Sequence, residues 1–370
     1  MQQLTVVGRN RVEWRDVPEP TLGSADAVLV RPFAAARCDI DIGLIRGTAA
    51  AGFFWGKWLR QLDPHAAHVF GDAPFRVPFP LGHECVAEVL SCGENVRGFR
   101  RGDRVVVPFQ ISCGSCLSCA ADLTAHCRTV PAFSMFGGVG GKNDGWGGAL
   151  SDCVRVPWGD SMLVRVPDGV DAAAVASASD NLADGWRTVA PGLAAQPGAR
   201  VLVVGGVVKS IGLYAAAIAV ALKSERVVYL DRNAERLRIA ASIGAIAVEG
   251  SYRRRDAANE TFPIVVDATN DVRGLDFALR ATAAGGVCTS VGIFPRKTTG
   301  IPMLRMYSQG LTLRNGVSNA RPVIPAILEL VRSGRLKPQL VTTTRAEWRD
   351  AALAFTENST KVVVTRDTIC

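Results

Sequence analysis

Four cysteines lie within a segment of 15 residues, in the pattern C-x2-C-x2-C-x7-C: Cys113, Cys116, Cys119 and Cys127. The two-residue gaps let a reversing backbone aim adjacent thiolates at one ion, and the longer gap lets the fourth thiolate complete a tetrahedron. Ferredoxin iron–sulfur motifs also open with C-x2-C-x2-C, but they continue with three residues and Cys-Pro, which this sequence lacks. Four thiolates leave no open coordination position, so the pattern predicts a structural zinc in a lobe of about residues 110–130. His126 lies inside this lobe as an alternative ligand, although a surface histidine is the simpler interpretation.

Further residues that can bind zinc are dispersed along the chain: Cys38, His83 in the tripeptide Gly-His-Glu, and Asp180. Three protein ligands of these types leave one coordination position open for chemistry. Taken singly, each has a simpler explanation, namely a buried cysteine, a hydrogen-bonded histidine and a carboxylate that caps a helix. Taken together, they make an open metal site a hypothesis for this sequence.

A glycine-rich turn follows the apolar run at 201–204. Its candidate cofactor contacts are Gly205, Gly206, Ser210, Ile211 and Gly212. The turn is one residue longer than G-x-G-x-x-G, and it lets backbone amides and a helix N-terminus face a pyrophosphate. Val207 and Val208 depart from the pattern, because their bulk stands where backbone and pyrophosphate must approach each other.

Asp231 ends the next predicted strand, 19 residues after Gly212. A carboxylate there can accept both ribose hydroxyls of the adenosine and would repel a 2′-phosphate, so the sequence favours NAD over NADP. Two alternatives stay open. Asp231 is also placed to cap the next helix, and Arg232 is placed to meet the 2′-phosphate of NADP.

The pattern of the chain changes near residue 168. Residues 1–167 contain short β-type runs between Gly and Pro turns, which is typical of a β-rich, barrel-like domain. Residues 168–316 alternate apolar strands with helices, which predicts an α/β domain with a doubly wound parallel sheet of the Rossmann type. Residues 317–370 are expected to return to the first domain. The main predicted strands are 27–30, 85–90, 104–107, 153–156, 201–204, 227–230, 264–267, 287–291, 311–313 and 361–364, and the main predicted helices are 211–222, 234–241 and 322–333.

The motifs, in this order, resemble those of the zinc-dependent alcohol dehydrogenase branch of the medium-chain dehydrogenase/reductase family. The resemblance extends over nearly all 370 residues. It includes the four-cysteine lobe, the Gly-rich turn, Gly-His-Glu at 82–84, Gly-Asp-Arg-Val at 102–105, Gly-Gly-Ala at 147–149 and Lys-Val-Val-Val at 361–364. The resemblance implies a GroES-like catalytic domain, a Rossmann domain, two zinc ions per chain, and hydride transfer between NAD(H) and an alcohol or carbonyl compound. The expected assembly is a homodimer or homotetramer.

The resemblance also assigns roles to individual residues. Cys38, His83 and Asp180 would hold the catalytic zinc, and Glu84 would be a neighbouring carboxylate able to replace water as a ligand. Asp41 would orient the histidine ligand. Zinc at this site would act as a Lewis acid that lowers the pKa of the alcohol before hydride leaves.

The sequence departs from the family where a proton relay is expected. Many relatives carry Ser or Thr two residues after the zinc-binding cysteine, and some carry His five residues after it, whereas this chain has Ile40 and Gly43. We therefore expect slow alcohol oxidation that rises steeply with pH, because general-base help is missing. Other routes for the proton are water, the ribose hydroxyls of the cofactor, Asp39, Glu84, His65 and His68.

Aromatic residues are concentrated between Gly47 and Pro80: Phe53, Phe54, Trp55, Trp58, Phe70, Phe75 and Phe79. In the family this stretch borders the substrate cleft, which would favour an apolar or aromatic substrate. Packing within a lobe or at a subunit contact is an equally good explanation.

Composition argues against several classes of function. The net charge is +8, but the basic residues are scattered, with short clusters at 100–101 and 253–255. A solvated surface that attracts an anionic cofactor is therefore favoured over nucleic-acid binding. The most apolar segment, 211–222, is shorter than the roughly 20 residues of a membrane span, and the N-terminus has no signal-type apolar run, so we expect a cytoplasmic protein. Most of the other cysteines, among them Cys85, Cys92, Cys153, Cys288 and Cys370, are expected to be small buried hydrophobes rather than disulfides.

Two alternatives to an NAD-dependent enzyme stay open. One is an NADP-linked carbonyl reductase of the same fold. The other is a zinc-binding homologue with impaired cofactor binding, against which the set Cys38, His83 and Asp180 argues, because a protein without catalysis does not need an open zinc.

Overall fold

A computed structural model describes residues 1–71, 74, 76–138, 145–252 and 260–369. Phe75, the cluster at 253–255 and Cys370 lie outside the described residues. The chain forms two compact units. The first comprises Met1–Ala183, Asn319–Arg332 and Thr342–Cys370, and the second comprises Asp184–Ser318 and Ser333–Val341.

The strands are numbered along the chain. They are β1 (Gln2–Gly8), β2 (Arg11–Asp16), β3 (Val28–Ala36), β4 (Phe79–Pro80), β5 (Glu84–Cys92), β6 (Arg104–Val107), β7 (Val154–Val156), β8 (Val164–Arg165), β9 (Val201–Val204), β10 (Val227–Asp231), β11 (Ile246–Glu249), β12 (Phe262–Asp267), β13 (Thr282–Ser290), β14 (Thr312–Asn315), β15 (Thr344–Glu347) and β16 (Val362–Thr365).

The α-helices are numbered in the same way. They are α1 (Asp41–Ile45), α2 (Thr48–Trp58), α3 (Ala66–Phe70), α4 (Leu117–Ala120), α5 (Gly159–Met162), α6 (Ala172–Val175), α7 (Asn181–Ala195), α8 (Lys209–Ala221), α9 (Ala234–Ile243), α10 (Val272–Arg280), α11 (Met303–Gln309), α12 (Ala320–Arg332) and α13 (Ala351–Ala354). Short 3-10 turns occur at Thr124–His126, Ala176–Ser179, Pro338–Val341 and Trp348–Asp350.

The first unit is built on β-structure. Among the described residues, one sheet has the order β15-β16-β3-β5-β6-β8, with β7 paired to β3, and a smaller sheet has the order β2-β1-β4. These pairings are antiparallel except that of β15 with β16. Buried side chains from many of these strands form one apolar core, including Leu4, Val30, Val89, Val105 and Val364. The β-rich architecture predicted for this part of the chain is thus confirmed.

The second unit contains a parallel sheet with the order β11-β10-β9-β12-β13-β14. All four residues of β9 are buried, as expected for an apolar strand covered on both faces. Helix α8 is Ala-rich and almost completely buried, so the apolar segment at 211–222 is a core helix. Helix α9 begins after the side-chain cap of Asn233 and ends at Gly244, whose φ of 98° suits glycine. The prediction of a doubly wound Rossmann sheet is confirmed.

Residues 168–183, which the sequence placed with the second domain, belong to the first unit. The reason is local packing, because α6 and the turn Ala176–Ser179 lie against the sheet of the first unit. The Ser179 hydroxyl donates to the Cys85 carbonyl and accepts from the Cys85 amide. This anchor fixes the position of the residue that follows, Asp180.

No helix within the described residues combines the length and apolarity that a membrane span needs. The aromatic segment after Gly47 forms α2, and none of the residues of this helix, all of them described, is buried. Phe79, unlike the aromatic residues of α2, lies in the core of the first unit.

Candidate active site and metal centres

Neighbouring strands bring Cys38 and His83 together. Strands β3 and β5 are antiparallel, and Ala36 pairs with Glu84. Cys38 leaves the end of β3 at the point where His83 enters β5, so both side chains lie at the same edge of the sheet. Asp180 arrives from the turn that Ser179 fixes to Cys85.

The three candidate ligands converge on one buried point. Oδ2 of Asp180 lies 3.1 Å from Sγ of Cys38 and 3.2 Å from Nε2 of His83. One donor atom of each residue lies within 4.8 Å of the others. A sulfur, an imidazole nitrogen and a carboxylate oxygen in this arrangement suit a zinc ion with one position left open.

The protonation chemistry of this group also fits a cation. Burial, followed by the charge of Asp180, raises the pKa of the Cys38 thiol. Burial opposes a charged imidazole, yet the carboxylates of Asp41 and Asp180 raise the pKa of His83 to about 9. A positive charge beside Cys38 favours its thiolate, and a bound metal would supply such a charge.

Asp41 lies on the far side of His83. Nδ1 of His83 is buried without a hydrogen-bond partner among the described residues, and the nearest carboxylate oxygen, Oδ1 of Asp41, is 3.6 Å away. The other oxygen of Asp41 accepts a 2.9 Å hydrogen bond from the Cys38 amide. Asp41 thus touches the backbone of one candidate ligand and faces the ring of another, which suits the orienting role expected of it.

Glu84 is held by a residue that sequence reasoning missed. Its Oε2 accepts a 2.6 Å hydrogen bond from Nζ of Lys361, and its Oε1 accepts one of 3.1 Å from the Asn181 amide. Lys361 also donates to the carbonyl oxygen of Arg37, at 2.8 Å. The only sequence signal was a lysine at the head of an apolar strand, where a buried position requires a partner for its charge.

The four cysteines of the lobe also converge. Their sulfur atoms lie within 4.8 Å of one another. Amides donate to these sulfurs at 3.4 Å, from Cys113 to Cys127, from Cys116 to Cys113 and from Arg128 to Cys116. Hydrogen bonds of this kind stabilise thiolates. The arrangement fits a structural zinc.

The sulfur of Cys113 carries the most donors in the lobe. The Thr129 hydroxyl donates to it at 3.1 Å, and the Cys116 amide donates at 3.4 Å. Burial opposes ionisation, but these donors lower the pKa of Cys113 to about 5. His126 is exposed, and the sulfur group assembles without it.

The glycine-rich turn leaves no room for side chains at its first two positions. A Cβ on Gly205 would lie 2.4 Å from Oδ2 of Asp231, and one on Gly206 would lie 2.7 Å from Cα of Thr269. A Cβ on Gly212 would lie 3.0 Å from that of Ala268, so this glycine allows α8 to pack closely on the sheet. Ser210 and Ile211 are buried in the first turn of α8.

The two valines of the turn behave differently from glycines. The Val207 amide donates to the Thr269 carbonyl at 3.3 Å, and the Val208 amide donates to the Ala268 carbonyl at 3.2 Å. The Val207 side chain is exposed. Both amides therefore donate hydrogen bonds to carbonyl oxygens of the protein itself. In this respect the turn differs from a glycine-rich turn whose amides face the pyrophosphate.

Asp231 borders a pocket of about 330 Å³. Its lining comprises Gly205, Gly206, Val207, Asp231, Arg232, Asn233, Arg236, Gly250 and Tyr252. The cap of α9 is Asn233, whose side chain accepts from the Arg236 amide, so Asp231 is not the N-cap of this helix. Arg232 is exposed at the rim, and its amide donates to Asp231. This crowded polar pocket, open beside the glycines, fits the adenosine end of a dinucleotide.

The candidates for a proton relay are dispersed. Ile40 precedes α1 and packs its apolar side chain on the core of the first unit. His65 and His68 are exposed and lie against each other, with ring centroids 4.8 Å apart. Gly43 lies within α1 and supplies no polar side chain.

Comparison with known proteins agrees with this geometry. The family described as alcohol dehydrogenase GroES-like domain matches residues 24–168, and the family described as zinc-binding dehydrogenase matches residues 210–333. A medium chain reductase/dehydrogenase of Acremonium sp is 30% identical over 291 residues, which cover 77% of this chain and 86% of that protein. The chain belongs to the zinc-dependent alcohol dehydrogenase branch of the medium-chain dehydrogenase/reductase family.

Other members of this medium-chain family are similar over almost the whole chain. A probable zinc-binding alcohol dehydrogenase of Mycobacterium tuberculosis is 28% identical over 363 residues, which cover 96% of this chain and 84% of that protein. The alcohol dehydrogenase TADH from Thermus sp. ATN1 superposes with a TM-score of 0.83 at 27% identity, and 99% of each chain is covered. The chain is thus a zinc-binding dehydrogenase, which confirms the resemblance drawn from the motifs.

Proposed function

We propose that this dehydrogenase transfers a hydride between NAD(H) and an apolar or aromatic alcohol or carbonyl compound. The observation that carries the proposal is the convergence of Cys38, His83 and Asp180 on one buried point. A structural zinc needs four protein ligands and no open position, and the four cysteines of the lobe already form a site of that kind.

The groups of the proposed site have different roles. When bound, the zinc would supply a Lewis acid to the substrate oxygen, and the nicotinamide would accept or donate the hydride. Cys38, His83 and Asp180 would hold the metal, and Asp41 keeps the first two in place. Glu84 is kept beside them by Lys361 and the Asn181 amide. Burial of this group removes competing water and strengthens each electrostatic contact.

NAD is the proposed cofactor. The support is the pocket beside Gly205 and Gly206, together with a carboxylate, Asp231, at the end of β10. Burial opposes ionisation, but the contact with Arg236 lowers the pKa of Asp231, so the group is an anion at neutral pH. An anion here favours ribose hydroxyls over a 2′-phosphate.

The proposed substrate class rests on α2. Phe54, Trp55 and Trp58 of this helix are exposed, Trp58 by 68%, and their rings contact one another edge to face. They belong to the same unit as the candidate zinc ligands. Aromatic surface of this kind binds apolar and aromatic compounds better than sugars.

We propose that the enzyme forms a homo-oligomer and acts in the cytoplasm. Strand β14 is an edge strand of the second unit in the described part of the chain. The preceding helix, α11, exposes Met303, Leu304 and Tyr307, and Leu304 is 80% exposed. An open edge beside apolar side chains suits pairing with a second copy.

The function is tested by turnover and binding together. Purified, zinc-loaded protein is incubated with NAD and a panel of aliphatic, aromatic and sugar alcohols, and formation of NADH is followed by its absorbance. We expect turnover with aromatic or long-chain alcohols and little with sugars. Quenching of tryptophan fluorescence by NADH measures cofactor binding separately. Zinc-loaded protein that binds neither NADH nor NADPH would refute the proposed activity.

A further inference from the structure

The outer face of α2 consists of aromatic side chains. Phe54, Trp55 and Trp58 lie three and four positions apart or adjacent to each other, so they share one side of the helix. They are 62%, 55% and 68% exposed. Their rings contact one another edge to face, with centroids 5.6 and 5.7 Å apart. Three large aromatic side chains therefore meet solvent together at one place.

The opposite side of α2 is the one that contacts the protein. Ala49 packs on the core of the first unit, and the ring of Phe53 meets that of Phe70 edge to face at 5.9 Å. A Cβ on Gly56 would lie 2.8 Å from a methyl carbon of Leu62, so the following chain folds back closely on this side. The outer face thus carries aromatic rings where a surface helix normally carries polar side chains.

The residues around this outer face are basic. Segment 42–62 contains Arg46, Lys57 and Arg60 but no Asp or Glu. Arg9 adds a fourth cation beside the start of α2, because a Cβ on Gly47, the N-cap, would lie 3.8 Å from its Cγ. Arg9, Lys57 and Arg60 are exposed, and Arg46 is half-buried. The aromatic rings are therefore accompanied by four cations in the same unit.

The acidic residues that flank this segment do not cancel its charge. Asp41 is buried beside His83, where it faces the imidazole ring. Asp63 is half-buried, and its carboxylate accepts a 2.7 Å hydrogen bond from the His65 amide. One partly covered carboxylate stands against four cations, so the surface around the aromatic rings has an excess of positive charge.

An anionic lipid surface matches both properties of this face. Tryptophan and phenylalanine rings settle at the boundary between headgroups and acyl chains, and lysine and arginine side chains attract anionic headgroups. A second copy of the chain matches less well. A symmetric contact places the same patch on both partners, so the cations of one copy would face those of the other.

We propose that the outer face of α2 docks reversibly onto a lipid bilayer that carries anionic headgroups. The helix then lies in the plane of the membrane surface, with the rings of Phe54, Trp55 and Trp58 in the interface and the four cations among the headgroups. The docking is separate from the proposed hydride transfer, which needs no membrane. Apolar compounds partition into the same bilayer, so a docked enzyme meets them at a higher local concentration.

Sedimentation with vesicles tests the docking without turnover. Zinc-loaded protein is mixed with sucrose-loaded vesicles of phosphatidylcholine and phosphatidylserine, or of phosphatidylcholine alone, and the bound fraction is measured over a range of lipid concentrations. Each basic residue near an anionic surface strengthens binding by about fivefold, so we expect at least about tenfold tighter binding to the mixed vesicles. Added salt should weaken this binding, because exposed charges are screened.

Substitutions of the two tryptophans test the aromatic contribution. Trp55→Gln/Trp58→Gln should weaken binding to the mixed vesicles by more than about tenfold, because two apolar rings no longer leave water. Trp55→Phe/Trp58→Phe keeps aromatic rings at both positions and should bind within about threefold of the wild type. Leu353→Gln, at an exposed position of α13, is the matched control and should leave binding unchanged.

Substitutions of the cations test the electrostatic contribution. Arg9→Gln/Arg60→Gln removes two charges and should weaken binding to the mixed vesicles by about 25-fold, with little effect on vesicles of phosphatidylcholine alone. Lys337→Gln, at an exposed position of the second unit, is the matched control. All these side chains are exposed, so the variants should keep the thermal stability of the wild type.

Several results would overturn the inference. They are a wild type that ignores the mixed vesicles, equal binding to both kinds of vesicle, and tryptophan or arginine variants that bind no differently from their controls. Self-association that the tryptophan variants abolish, without vesicle binding, would assign the face to a second copy. Protein that docks on the mixed vesicles but oxidises no alcohol supports the docking and counts against the proposed function alone.

Discussion

The ammonium nitrogen of Lys361 lies 2.6 Å from Oε2 of Glu84, and neither side chain has any solvent exposure. Glu84 follows the candidate ligand His83 directly, and Lys361 precedes β16, so the pair connects the candidate zinc site to a distant part of the chain. Burial raises the pKa of Glu84 even though Lys361 opposes the shift. The two charges are therefore compensated by each other and not by water.

Loss of one partner should destabilise the first unit strongly. Lys361→Met leaves a buried carboxylate uncompensated, and we expect the free energy of unfolding to fall by about 3–5 kcal/mol. The double variant Lys361→Met/Glu84→Gln should recover much of this loss, because no uncompensated charge remains. Urea denaturation measures both, and Lys337→Met at an exposed position is the control. Equal stability of Lys361→Met and wild type would show that the pair contributes nothing.

The two metal centres should respond differently to substitution. Cys116→Ser should remove one zinc ion and lower the stability by more than about 4 kcal/mol, since loss of a structural metal is among the largest single effects. His83→Ala should remove the other zinc and abolish turnover while the fold stays intact. Metal analysis and thermal denaturation of both variants provide the readouts. Iron in the native protein, or a single zinc, would contradict the assignment.

Asp231 should control the choice of cofactor. Asp231→Ser removes the ribose acceptor and the negative charge together and releases the Arg236 guanidinium. The Michaelis constant for NAD should rise by about tenfold, and the preference should move towards NADP. Steady-state kinetics with both cofactors give the answer. A wild type that strongly prefers NADP would mean that Asp231 does not serve as the ribose acceptor.

Ile40 should leave alcohol oxidation dependent on pH. Its side chain packs on the core and offers no hydroxyl for proton transfer. We expect the rate to climb steeply as the pH is raised, and Ile40→Ser to increase the rate near neutrality by up to about 10²-fold. Ile42→Ser, two residues further along in α1, controls for the loss of an isoleucine side chain. A fast wild type with a flat pH profile would reveal another relay, for which His65→Ala and His68→Ala are the next variants.

The exposed residues of α11 should hold the copies of the chain together. Leu304→Glu places a charge in the proposed contact. We expect the dissociation constant of the oligomer to be at least tenfold higher than that of the wild type. Light scattering after size exclusion over a concentration series measures the mass. Leu353→Glu, another exposed leucine, in the first unit, should leave the mass unchanged. A monomeric wild type would show that this contact between copies of the chain does not form.

Local patterns predicted the fold well where a strand is mostly apolar. The run at 201–204 coincides with β9, and that at 104–107 coincides with β6. Both are bounded by residues that end strands, so their limits are visible without a partner. The helix α2 could not be placed in this way, because its aromatics give no polar face from which a helical period can be read.

The candidate site was predictable as a set of ligands but not as a network. Cys38, His83 and Asp180 are residue types that bind metals, and the order of the motifs around them, which resembles that of the family, drew attention to them. Lys361 and Arg236 are common surface residues by type, so only the folded chain shows that they pair with Glu84 and Asp231. Contacts between residues 277 positions apart carry no local signal.

Strand β16 pairs with β3, although more than 300 residues separate them. Translation proceeds from the N-terminus, so the ribosome delivers all three candidate zinc ligands long before the strand that completes their sheet. The segment Asp184–Ser318 emerges in the interval. In the nascent chain, the Glu84 carboxylate has no ion pair with Lys361 until residue 361 has left the ribosomal exit tunnel. The open site therefore obtains all its neighbouring charges only after residue 361 has emerged, whereas the four sulfurs of the cysteine lobe come from a single segment of 15 residues.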